Sequence, residues 1–111
     1  MRADPSWKDR LASAHTVARE LRVAQEYRYS WTAFQQIKQP TLLLIGELST
    51  IRLHGSVAAL HAALSSSQVV TLSGQGHGAL KLAPKQVAAE VLAFMQATAP
   101  APHRPGARAL V

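Results

Sequence analysis

The sequence contains no cysteine. That removes disulfide frameworks, thiol nucleophiles and cysteine-based zinc sites together. Acids are scarce as well: 6 Asp and Glu stand against 12 Lys and Arg, a net charge of +6 over 111 residues. Any chemistry that needs a carboxylate must draw on Asp4, Asp9, Glu20, Glu26, Glu47 or Glu90. Aromatic residues make up only 5%, and the basic residues are scattered from Arg2 to Arg108 without a run of three. Nucleic-acid readers concentrate charge on one face or interleave stacking aromatics. The surplus therefore predicts a mildly basic, solvated surface and no specific nucleic-acid partner. Long hydrophobic runs are missing too. The longest strongly apolar stretch, Leu42 to Ile45, is far too short to cross a bilayer. The N-terminus, Met1 to Lys8, lacks the apolar centre of a signal peptide. The expectation is a soluble cytoplasmic protein with no membrane partner.

What is present is a globular composition, 48% hydrophobic. From about Ser6 to Tyr27, the residues Trp7, Leu11, Ala14, Val17, Ala18, Leu21 and Ala24 recur at three- and four-residue steps. Such spacing predicts one amphipathic helix, opened by Asp4-Pro5-Ser6. A short helical patch follows from Ser30 to Ile37. Pro40 forces the residue before it to be extended, and Thr41-Leu-Leu-Leu-Ile45 then reads as a strand buried on both faces. Ser56 to Leu64 predicts a helix and Gln68 to Leu72 a second strand. The glycine-rich Ser73-Gly-Gln-Gly76 ends that strand, and Pro84 opens a last helix through about Ala97. Residues 98–111 are rich in Ala, Pro and Arg without periodicity and predict a disordered tail.

The order strand, helix, strand, loop, helix predicts the α/β class, with two parallel strands and flanking helices over residues 1–97. Two strands make an incomplete sheet. A pair on its own leaves edges unpaired, so the expectation is a marginally stable chain that self-associates or needs a complementary segment.

In open α/β sheets, reactive groups sit on loops beyond the C-terminal strand ends. Two such loops are expected, Gly46-Glu-Leu-Ser-Thr50 and Ser73-Gly-Gln-Gly-His-Gly-Ala79. A histidine among glycines at a strand end can bring its imidazole close to a reacting group, which suits His77 to general-base work. A loop histidine that merely bonds a backbone carbonyl satisfies the same pattern.

Over roughly Tyr27 to Gln96 the chain resembles the α/β-hydrolase superfamily. Ile37-Lys-Gln-Pro-Thr-Leu-Leu-Leu-Ile-Gly46 is similar to its penultimate core strand, and Val69-Val-Thr-Leu-Ser-Gly-Gln-Gly-His77 to its last strand and histidine loop. Ala83-Pro84 with the helix ending in Ala93-Phe94-Met95 is similar to its closing helix, and Arg28-Tyr-Ser-Trp31 to the stretch that leads in from the cap. The resemblance implies that these residues are the C-terminal portion of an α/β-hydrolase fold. It implies hydrolysis of an ester, amide or similar bond without a cofactor, with His77 as the triad histidine and general base. The family acid often follows the penultimate strand as Gly, acid, any residue, acid. Here that stretch is Gly46, Glu47, Leu48, Ser49, so Ser49 occupies the usual acid position and Glu47, two residues early, is the nearby candidate acid. Some members carry the acid one strand earlier.

The nucleophile elbow Gly-x-Ser-x-Gly occurs nowhere in the 111 residues, nor does the glycine-rich oxyanion loop. The expected function is thus a fragment or truncated form of such a hydrolase, acting on a small-molecule substrate only if an N-terminal half completes it. The alternative is a non-catalytic interaction module whose sheet a partner completes. Metal and nucleotide chemistry find little support. His54 and His61 lie seven apart without a third ligand, with His54 expected in a loop before Gly55. Ser73-Gly-Gln-Gly76 lacks the lysine of a phosphate loop. His15 and His103 read as structural or solvated.

Overall fold

A computed structural model describes residues 5–100. The chain divides into two compact units, Met1–Ser30 and Trp31–Val111.

In the first unit the periodic stretch forms α1 (Trp7–Ala12) and α2 (Ala14–Glu26) rather than one helix. The interruption falls at Ser13. Its hydroxyl donates to the Asp9 carbonyl at 2.9 Å, and the Thr16 hydroxyl donates to the Ser13 carbonyl at 2.9 Å. Side chains that bond back onto the preceding turn compete with the helical ladder and bend it. Neither helix buries a residue.

The second unit contains α3 (Trp31–Gln35), β1 (Thr41–Gly46), α4 (Ile51–Ala63), β2 (Ser67–Leu72), α5 (Ala79–Leu82) and α6 (Pro84–Thr98). It is mixed α/β, as the sequence predicts. β1 and β2 pair in parallel, with Thr41 opposite Ser67 and Gly46 opposite Leu72. The helix α4 crosses between the strands and packs on both, while α6 packs on β2. α4 begins five residues before the expected Ser56. The Thr50 carbonyl accepts Leu53 and His54 N–H, and the ladder runs through Gly55. A mid-helix glycine costs only about 1 kcal/mol relative to alanine, too little to stop a helix whose first turn is already bonded to the Thr50 carbonyl. His54 is consequently helical, not in a loop. Thr98 closes α6, its hydroxyl donating to the Phe94 carbonyl at 2.8 Å. The tail expected from residue 98 falls outside the described residues from 101 onward.

The core sits where the strands end. Among the described residues the buried hydrophobic side chains are Ile45, Leu72 and Ala79, at the last turns of β1 and β2 and the start of α5. Ala79 draws α5 inward immediately after His77, a helix that the sequence pattern did not predict.

Candidate functional site

Parallel pairing brings the exits of β1 and β2 to one edge, and the two loops there are joined by a compact set of bonds. Glu47 N–H donates to the Leu72 carbonyl at 3.0 Å, continuing the ladder. In a parallel ladder the next rung would carry Gly74 N–H to the Glu47 backbone carbonyl. Instead, Gly74 N–H donates to the Glu47 side-chain Oε2 at 2.7 Å, and the Ser73 hydroxyl donates to the same oxygen at 3.2 Å. The Glu47 carbonyl is left to the His54 ring, whose Nε2 lies 3.3 Å away. Leu48 N–H donates to the Gln75 carbonyl at 2.8 Å.

Two glycines make this closeness possible. Gly74 has φ +70°, a left-handed conformation that costs other residues roughly 1–2 kcal/mol. A Cβ on Gly46 would lie 2.5 Å from the carbonyl oxygens of both Gln75 and Gly76. Only a hydrogen fits there, so the β1 exit and the histidine loop are in backbone contact.

His77 follows that loop and is exposed. It lines a cleft of about 300 Å³ together with Ser49, Leu44, Leu72, Leu80 and Val87. The Ser49 hydroxyl is buried and has no hydrogen-bond partner. A buried hydroxyl without a partner costs about 1–3 kcal/mol, so the Ser49 Oγ carries an unmet demand among the described residues. The structure thus brings His77 and Ser49 to one cleft. The Glu47 carboxylate is engaged by Ser73 and Gly74, and among the described residues no hydrogen bond joins it to His77.

The remaining histidines have local partners. His61 Nδ1 lies 2.7 Å from the Ser67 hydroxyl, and His15 Nδ1 lies 2.9 Å from the Ala12 carbonyl. No group of three His, Asp or Glu that could hold a metal ion occurs among the described residues, and no described helix is long and apolar enough to cross a membrane. His103 lies outside the described residues. Sequence reasoning missed the Glu47 brace on the histidine loop. Its one available signal was a carboxylate placed directly after a strand, opposite a Ser-Gly turn.

No family model, curated protein or solved structure matches the chain.

Proposed function

We propose that this chain is the histidine-bearing C-terminal part of an α/β-hydrolase, contributing His77 as general base once a nucleophile-bearing segment completes the sheet. The observation that carries this reading is the shared edge. His77 and the Gly46-Glu-Leu-Ser49 loop lie beyond the C-terminal ends of two parallel strands and border one cleft. General-base catalysis needs a nucleophile within about 3 Å of the imidazole and donors aimed at the developing oxyanion. The 111 residues offer no serine elbow and no oxyanion loop. Ser49 has a hydroxyl where the family often has its acid, and Glu47 braces the loop, so the group that orients the imidazole must also come with the completing segment. The substrate class is an ester, amide or related carbon–heteroatom bond.

The second reading, an interaction module without catalysis, is favoured by the small core and the two-stranded sheet of the described residues. Activity separates the two. The isolated chain is expected to hydrolyse short p-nitrophenyl esters no faster than buffer. Turnover by the 111 residues that disappears in His77→Ala would overturn the claim that the nucleophile lies elsewhere. The coding sequence upstream of Met1 should contain an in-frame strand followed by Gly-x-Ser-x-Gly. The longer product should hydrolyse such esters and lose that activity in His77→Ala. An active longer product indifferent to His77→Ala would remove the hydrolase reading and leave the binding module.

A further inference from the structure

The unpaired edge of β1 has a pattern that fits itself. Thr41 and Glu47 donate their N–H groups to Ser66 and Leu72. Backbone groups alternate sides along a strand, so Leu43 and Ile45 also face β2 while Leu42, Leu44 and Gly46 face away. Among the described residues no backbone group meets those of Leu42 and Leu44. The Gly46 carbonyl already accepts Ser49 N–H at 3.0 Å. Just outside the strand stands Pro40, on the same outward side, with no N–H to offer.

We infer that the free edge of β1 pairs antiparallel with β1 of a second copy of this chain, Leu43 opposite its own counterpart, to give a four-stranded sheet. In this register Leu42 faces Leu44 of the other copy and the outward groups of both are satisfied. Pro40 faces Gly46. The residue that lacks a donor thereby meets the residue whose acceptor is already occupied, and Gly46 N–H is free to donate to the Pro40 carbonyl. Charge favours the same direction. Lys38 precedes the strand and Glu47 follows it, so antiparallel pairing brings opposite charges to each end, whereas parallel pairing would set like beside like. The edge itself is uncharged and aliphatic, the kind that recruits another chain. The far edge of β2 does not compete on equal terms, because Ser67, Gln68 and Thr71 suit it to water. The inference concerns the 111 residues by themselves: it rests on edge geometry, and its test measures no activity. A completing segment of the hydrolase reading would displace the second copy from the same β1 edge.

The test uses the full chain. Sedimentation equilibrium at micromolar concentration should give twice the 11.9 kDa chain mass. Since the chain has no cysteine, introduced thiols report position cleanly. A non-hydrogen-bonded antiparallel pair places its Cβ atoms about 4.5 Å apart, within reach of a disulfide. Mild oxidation should therefore link Leu43→Cys to itself. Leu42→Cys, which faces Leu44, and Val69→Cys, on β2, should stay unlinked. Reduced Leu43→Cys should keep the parent circular dichroism spectrum and sediment as a dimer. A monomeric parent chain, a linked Val69→Cys, or Leu42→Cys linking as readily as Leu43→Cys would overturn the inference.

Discussion

The helices of Met1–Ser30 and the corner where β1 and β2 end are both well supplied with apolar residues, but only the corner buries them. Leu72 is 3% exposed and Leu21, on α2, is 56% exposed. The difference lies in what surrounds each leucine. At the corner, backbone contact through Gly46 and the bonds of Glu47 and Leu48 hold two strands, two loops and α5 close enough for side chains to shed water. α1 and α2 satisfy their own backbone groups along the helix and need no neighbour to do so, which leaves their apolar stripe available. Helical periodicity therefore marks a face that can be buried, and only long-range backbone bonding shows that it is.

The comparison breaks most readily at Leu72. Leu72→Ala should cost about 3 kcal/mol, read as a fall in the urea midpoint followed by circular dichroism at constant protein concentration. A loss well under 1 kcal/mol would show that the corner is not the core of the second unit. Glu47→Ala should cost about 1 kcal/mol, the net worth of an exposed carboxylate that accepts two bonds. It should also raise hydrogen exchange at the Gly74 amide, and Glu47→Gln, which keeps an acceptor oxygen, should restore part of the protection. Unchanged exchange in Glu47→Ala would mean that the brace does not form in solution. Leu21→Ala should move the midpoint by less than about 0.5 kcal/mol, because little area is lost and alanine favours helix. A cost above 1 kcal/mol would sharpen the comparison by showing that the α2 stripe is covered in solution.

The strands were legible because four consecutive aliphatics after Pro40 and before Gly46 admit few other conformations, and a parallel crossover then forces both loops to one edge. His77 was placed by the same logic. The bend at Ser13 was not legible, since periodicity weighs side chains by polarity and is blind to a hydroxyl turned back on its own carbonyl. Gly55 was weighed too heavily as a breaker, which hid the first turn of α4 and put His54 in a loop. The brace escaped for a related reason. Glu47 reads as a candidate acid on a loop until the Ser73-Gly74 turn is seen folded over it, and that fold depends on the absent Cβ of Gly46.

The substituted rung at Gly74 has a consequence for how this corner can change. A main-chain rung has a length fixed by peptide geometry, whereas a rung made by a side chain has a length that depends on which residue supplies it. Replacing Glu47 by aspartate would shorten the strut by one methylene, about 1.5 Å, without touching the pairing of β1 and β2. The loop cannot follow, because Gly46 already stands against the Gln75 and Gly76 carbonyls. The aspartate would therefore give up the rung at Gly74, while His77 stays where the backbone contact holds it. The corner thus has a strut of one permitted length, set by the backbone contact beneath it.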